Sequence, residues 1–135
     1  NMLRLLVEGR ADLDKADHNG WTPALAAARF GTWDEGKAKM LRLLVDGRAD
    51  LNKANDQGKA PAWVASQFGE VEALRVLIKA RANINKAAKV WKAPLKAPLD
   101  VARNDEVARL LIEAGGKRNL GLMGRLVDRV FFIPV

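Results

Sequence analysis

The apolar residues of this chain fall into short runs with helical spacing, separated by polar links. Within each run, large aliphatic side chains recur every three or four residues, which places them on one face of a helix. The clearest examples are Leu41, Leu44 and Val45, and Leu74, Leu77 and Ile78. Links of small and Asn- or Asp-rich residues follow at 49–58 and 82–92. Each link leads to a proline, which favours the start of a helix because the first turn does not need its N–H. These prolines are Pro23, Pro61 and Pro98.

The pattern repeats along the chain. The stretch MLRLLVEGRADLDKAD at 2–17 recurs at 40–55 with only three substitutions, and a third copy, ALRVLIKARANINKAA, occupies 73–88. The offsets are 38 and 33 residues, and the five extra residues lie at 32–36. Periods of this length predict a repeat architecture, in which each helix pair buries its apolar face only against its neighbours.

The segment DHNGWTPALAAARFG at 17–31 matches most fixed positions of the pattern D-x-x-G-x-T-P-L-H-x-A-A-x-x-G, and NDQGKAPAWVASQFG at 55–69 is a weaker match. The sequence therefore resembles ankyrin repeats over roughly residues 2–116. This resemblance implies an all-α ankyrin-repeat solenoid of stacked helix pairs with hairpin-like links. The apolar spacing after the repeats adds a C-terminal amphipathic tail. We assign repeats to residues 1–116, as a half repeat at 2–16 and repeats at 17–54, 55–87 and 88–116, followed by the tail at 117–135. Because the chain begins within a repeat, we expect further repeats upstream.

Several positions depart from the pattern. Thr22, which can cap a helix, is replaced by Ala60 and Ala97, and each loss costs about 1 kcal/mol. In the last unit the sequence KAPL is doubled at 92–95 and 96–99. We predict that the first copy is extra loop and that a shortened helix begins at Pro98. Trp63 lies inside a predicted helix pair and is expected in the core.

The resemblance implies a binding module whose partners dock on the concave face, formed by the link tips and the first helix of each pair. Trp and Arg are enriched among interface residues that carry most of the binding energy, which favours contact roles for Trp21 and Trp91. The five-residue insertion places Trp33 on a surface loop. The predicted partner-binding residues are His18, Asn19, Trp21, Arg29, Phe30, Trp33, Asp56, Gln57, Lys59, Gln67, Phe68, Lys89, Trp91, Lys92 and Lys96.

The net charge is +7 and is unevenly distributed. Residues 1–85 carry 13 basic and 11 acidic residues, whereas residues 86–135 carry 10 and 5. Lys86, Lys89, Lys92 and Lys96 form a basic strip along the last link. The positive net charge and the basic strip favour partner proteins with an acidic surface. The periphery of a membrane complex is an alternative partner. Nucleic acid is disfavoured, because one aromatic residue beside the strip is too few for base stacking.

The tail, KRNLGLMGRLVDRVFFIPV, does not follow the repeat pattern. Its apolar residues lie on one helical face and continue into a closing FFIPV. They are Leu122, Met123, Leu126, Val127, Val130, Phe131 and Phe132. Two interpretations stay open: the tail caps the end of the array, or it docks into a partner or onto a membrane surface.

The side chains that carry most enzyme chemistry are scarce. The chain has no Cys and no Tyr, and His18 and Ser66 are its single His and Ser. His18 has no companion for zinc, and Asp12, Asp14 and Asp17 lack the spacing and the downstream Glu of a calcium loop. We therefore expect a non-enzymatic interaction scaffold with no metal, cofactor or small-molecule substrate, acting as an accessory structural subunit of a larger complex. A transient regulatory adaptor and a peripheral anchor to an organellar membrane complex are the alternatives.

Overall fold

The computed structural model describes residues 12–29, 35–90 and 93–118. Its helices are α1 (Pro23–Arg29), α2 (Glu35–Asp46), α3 (Pro61–Phe68), α4 (Val71–Lys79) and α5 (Asp105–Glu113). Two short strands, β1 (Ala88–Val90) and β2 (Ala93–Lys96), precede a 3₁₀ turn at Pro98–Val101. Across these ranges no helix is long and apolar enough to cross a membrane.

The helices form stacked pairs. α1 packs on α2, α3 on α4, and the 3₁₀ turn on α5. The first members of the pairs make one row, in which α3 lies between α1 and the 3₁₀ turn, and the second members α2, α4 and α5 make another. This is the predicted all-α solenoid of helix pairs.

The core lies between these rows of helices. Leu41 and Leu44 of α2, Leu74 and Leu77 of α4, and Leu111 of α5 are fully buried, which confirms the helical spacing read from the sequence. Small alanines on the first helices allow close approach: Ala24, Ala27, Ala28, Ala62 and Ala65 are all buried.

Trp63 is 0% exposed, as predicted for a core residue. Its indole Nε1 also donates a hydrogen bond to the backbone oxygen of Lys96, 2.8 Å away. The buried indole N–H thus finds an acceptor in the link that follows, so this one side chain joins two consecutive units.

The first helices begin where the prolines predict, but they are capped differently. The hydroxyl of Thr22 accepts the N–H of Leu25 at 3.3 Å, whereas Ala60 provides no side-chain cap for α3. At Ala97 the missing cap is partly compensated, because the Asp100 carboxylate accepts the N–H of Ala97 at 2.9 Å. No local sequence pattern predicts this bond. The shortened helix at Pro98 is a single 3₁₀ turn of four residues.

One prediction about inserted residues is wrong, and another is only partly covered by the structure. The first KAPL was predicted as extra loop, but Ala93–Lys96 is strand β2, paired antiparallel with β1 so that Ala88 lies opposite Lys96. The insertion at 32–36 is predicted to enlarge a turn. Its last two residues, Glu35 and Gly36, belong to α2, and residues 32–34 lie outside the described residues.

The hairpin of β1 and β2 forms because Ala88, at its start, cannot accept a hydrogen bond through its side chain. Asp17 and Asn55 begin the turns at the tips of the two preceding links, and each side chain accepts two backbone N–H groups of its own link. Ala88 stands at the equivalent position and has no acceptor. The backbone of this link is instead satisfied by strand pairing, and the four additional residues provide the second strand.

A ladder of hydrogen bonds joins successive links, and we call it the inter-repeat ladder. Asp14 Oδ1 accepts the N–H of Asp50 at 2.6 Å, and Asn52 Oδ1 accepts the N–H of Asn83 at 2.6 Å. Asn85 Oδ1 accepts the N–H of Lys117 at 2.7 Å. Equivalent positions therefore make equivalent bonds, and each rung fixes one link against the next.

Lysines reinforce two rungs of the inter-repeat ladder. Lys53 Nζ donates to the backbone oxygen of Asp14 at 2.9 Å, and Lys86 Nζ donates to that of Asn52 at 3.4 Å. Lys86, which the sequence assigned to the basic strip, therefore also has a bond within the array.

Asn52→Ala tests the inter-repeat ladder. The substitution removes the acceptor of the Asn83 N–H, so we expect the free energy of unfolding to fall by about 1 kcal/mol, the net value of a typical hydrogen bond. Asn52→Asp is the matched control, because Asp14 makes the same bond with a carboxylate. Urea unfolding of both variants measures the difference. An equal loss in the two variants would contradict the ladder as a source of stability.

Candidate protein-interaction surface

The tips of the first two links are tight turns built by one side chain each. Asp17 Oδ1 accepts the N–H groups of Asn19 and Trp21, both at 2.9 Å. Asn55 Oδ1 accepts those of Gln57 at 2.9 Å and Lys59 at 3.1 Å. The turns therefore hold Trp21 and Lys59 at fixed places immediately before the first helix of each unit.

The bonds to Asp17 also affect its titration. The backbone N–H of Trp21, and after it that of Asn19, stabilise the carboxylate and lower the pKa of Asp17 from its ordinary value of 3.8. Asn55 makes the same turn with a neutral amide oxygen, so the turn requires an acceptor and not a charge.

Gly20 allows the two tips to touch. Its φ is +82°, in the left-handed region that favours glycine, and the N–H of Asp56 donates to the backbone oxygen of neighbouring Asn19 at 3.2 Å. A Cβ on Gly20 would lie 2.6 Å from Asp56 Oδ1 and 2.7 Å from its backbone nitrogen. Glycine is needed here both for the backbone conformation and for the close approach of the second tip.

A cleft of about 500 Å³ opens between the second and third units. Most of its walls come from residues that the sequence predicted for partner binding, now brought together from two repeats. The lining residues are Asn19, Trp21, Arg29, Asn55, Asp56, Gln57, Lys59, Val64, Gln67 and Phe68. Asn55 and Val64 line the cleft but are not among the predicted contact residues.

Two cations in this cleft lie over aromatic rings. Arg29 Cζ is 5.3 Å from the centre of the Trp21 ring and 5.1 Å from that of the Phe68 ring. Lys59 Nζ is 4.8 Å from the centre of the Trp63 ring. These distances are within cation–π range, and they position both charged groups on the surface of the cleft.

A second cleft of about 660 Å³ lies on the N-terminal side of the first. It shares Asn19, Trp21 and Arg29 with the first cleft, so these residues form the wall between two consecutive depressions. Its other lining residues are Asp12, Lys15, Ala16, Asp17, Thr22, Pro23 and Ala26. None of these seven residues is among the predicted contact residues, and no local pattern marks them as surface-forming.

The other predicted contact residues lie apart from the two clefts or outside the described residues. His18 is exposed at the first tip, with Nε2 3.4 Å from the Asn19 side-chain amide. Lys89 is on β1 and Lys96 on β2, so these two lysines of the basic strip belong to the hairpin. Outside the described residues lie Phe30, Trp33, Trp91, Lys92 and the tail residues Leu122, Met123, Leu126, Val127, Val130, Phe131 and Phe132.

The aspartates of the first link serve the backbone. Asp12 Oδ1 accepts the N–H of Asp14 at 2.9 Å, and Asp14 supplies the first rung of the ladder. Within residues 12–29, 35–90 and 93–118 no group of three or more His, Cys, Asp or Glu side chains is arranged to hold a metal ion.

Stacked helix pairs, tight link tips and a cleft between consecutive units define a repeat solenoid. The family model that matches describes ankyrin repeats in three copies and covers residues 1–88, so the chain belongs to the ankyrin-repeat family. No curated protein matches the sequence. Ankyrin repeats are generally protein–protein interaction modules and are typically non-enzymatic.

Asp17→Asn tests the cause of the lowered pKa. Because the folded state lowers the pKa of Asp17, its contribution to stability is complete above the ordinary value of 3.8 and is lost as the pH falls through the folded-state pKa. The variant keeps an acceptor at this position, as Asn55 does in the next link. We therefore expect its stability at pH 7 to be nearly that of the unaltered chain. Between pH 7 and pH 2 the variant should lose less stability than the unaltered chain. Thermal unfolding between pH 7 and pH 2 measures this, with Asp46→Asn on α2 as control. A steeper acid loss in the variant would contradict the assignment.

Proposed function

We propose that this chain is a non-enzymatic scaffold module, acting as an accessory structural subunit of a larger protein complex. One observation carries the proposal: residues from consecutive repeats, predicted separately for partner binding, line two adjoining clefts with Trp21 and Arg29 as their common wall. A surface formed by two repeats exists only when they are stacked, so the array itself creates the site.

The composition of the first cleft supports a protein partner. Two aromatic rings, those of Trp21 and Phe68, are surrounded by amide and charged side chains. Aromatic and arginine side chains ringed by polar groups are typical of protein interfaces.

An acidic partner surface is the proposed complement. The chain carries a net charge of +7, and the first cleft contains Arg29 and Lys59 against Asp56. The hairpin adds Lys89 and Lys96 beside the repeats. Opposite charge on the partner would accelerate association and orient it on this face.

We also propose that the repeat boundaries fall at 17, 55 and 88. The equivalent residues Asp17, Asn55 and Ala88 each lie within a link, and Thr22, Ala60 and Ala97 each precede the proline of the next helix. The inter-repeat ladder supports the same division, because its rungs join equivalent positions of neighbouring units.

Trp21→Ala tests the binding face. Removing the ring takes away the shared wall of both clefts and one contact of Arg29, and truncation of a central interface tryptophan typically costs 2 kcal/mol or more, which is about thirtyfold in affinity. We expect capture of partners from an extract of the native source to fall accordingly while circular dichroism stays unchanged. Lys79→Ala, on α4 and outside both clefts, is the control. Undiminished capture by the folded Trp21→Ala variant would contradict the concave-face assignment.

An exposed apolar side chain on the last helix of the array favours the interpretation that the tail caps this end. Ile112 on α5 is 61% exposed, whereas Ile78, at the equivalent place on α4, is half-buried against the core. The N–H of Lys117 is bound by Asn85, which directs the chain into the position of a further link. The tail at 117–135 would then lie beside Ile112.

Deletion of residues 120–135 tests this role. Burial of an isoleucine side chain contributes about 1.5–3 kcal/mol, so we expect the free energy of unfolding to fall by at least that much. Ile112→Ser should produce a similar loss in the full chain and little further loss in the truncated one. Unchanged stability together with lost partner or vesicle binding would instead assign the tail to docking or membrane anchoring.

A further inference from the structure

Arg29 joins two repeats within the first cleft. It ends α1, it is exposed, and its guanidinium lies over rings that belong to different units, Trp21 at the first tip and Phe68 at the end of α3. Contacts with two rings restrict the rotamers of a long side chain. Part of the entropy that a flexible arginine loses on binding is therefore already lost before the partner arrives.

The charges around Arg29 differ between the two clefts. Among the described residues that line the first cleft, Arg29 and Lys59 are cations and Asp56 is an acid, for a net charge of +1. Among those that line the second cleft, Arg29 and Lys15 stand against Asp12 and Asp17, and these charges cancel. An anionic group is therefore favoured on the side of Lys59.

The surrounding groups also suit a carboxylate. Ring stacking engages the faces of a guanidinium, whereas its N–H groups lie in the plane and match the two oxygens of a carboxylate. The amides of Asn19, Gln57 and Gln67 line the same cleft and can donate further hydrogen bonds. Because the two clefts adjoin at Trp21, a chain can continue from one to the other, which fits an internal side chain better than a chain terminus.

We propose that the first cleft binds a glutamate or aspartate side chain in an extended segment of the partner protein, with Arg29 as its principal anchor and Lys59 beside it. This inference rests on the proposed function and adds the chemistry of the bound segment. The neighbouring cleft accommodates the residues that follow in the partner.

A peptide of alternating Gly and Glu, ten residues long, acetylated and amidated at its ends, is the probe. An otherwise identical peptide with Gln in place of Glu is its control, and a Gly–Gln peptide with a free C-terminal carboxylate tests the terminus as an alternative source. We expect the Arg29 Nε–Hε resonance to shift on titration of the full chain with the Glu peptide only.

Variants quantify the anchor. By fluorescence anisotropy, Arg29→Gln should raise the Kd of the Glu peptide at least about tenfold, as expected for loss of a charge-assisted hydrogen bond. Arg29→Lys, which keeps the charge but not the planar fork, should show a smaller loss. Lys79→Gln removes the same charge from α4 and should change the Kd by less than about twofold, since charge alone is not the anchor.

Several outcomes would overturn the inference: no shift of the Arg29 resonance, equal binding of the Glu and Gln peptides, preference for the free terminus, or equal losses in Arg29→Gln and Lys79→Gln. The resonance shift is measured on the unaltered chain. It therefore shows whether the Glu peptide contacts Arg29 even if a variant does not fold. If Trp21→Ala abolishes capture of the native partner but Arg29→Gln does not, the proposed function stands and the carboxylate site fails. If both variants retain capture, both proposals fail.

Discussion

The arrangement of the repeats depends on side-chain oxygens in the links that accept backbone N–H groups of the next link. Helix packing alone leaves the link backbones without partners, and such groups need hydrogen bonds wherever water is displaced. Asp14, Asn52 and Asn85 provide these bonds at equivalent positions. The ladder and the core act together: the core packs the helix pairs against one another, and the ladder joins each link to the next.

The cleft depends on the contact between neighbouring link tips. Because Gly20 lets the Asp56 backbone approach to hydrogen-bonding distance of Asn19, the two tips stand side by side, and the ends of α1 and α3 meet below them. Arg29 and Phe68 are 39 residues apart in the chain, yet they occupy corresponding helix ends in consecutive units. Their contact depends on stacking geometry and on the absence of bulk at Gly20.

Local patterns were sufficient for much of this fold. Helical spacing predicted the buried leucines, and the prolines predicted the starts of the first helices. Pairing across units was beyond these patterns: the strand at Ala93–Lys96 depends on a missing acceptor at Ala88, and the bond from Trp63 to Lys96 depends on the position of the next link. The cleft residues on the link tips could be predicted from their positions in the repeat, because the resemblance to ankyrin repeats implies contact residues there. The contact of Arg29 with two rings could not, because no spacing within one repeat encodes it.

The rungs of the inter-repeat ladder use aspartate and asparagine for the same bond. Asp14 carries a charge and Asn52 and Asn85 do not, while their acceptor distances agree to within about 0.1 Å. The geometry of the stack is therefore independent of the charge along this edge. Exchange between aspartate and asparagine at a rung can therefore change the charge of this edge, one unit at a time, while the hydrogen bond is kept. The surface charge presented to a partner can change in this way while the architecture stays the same.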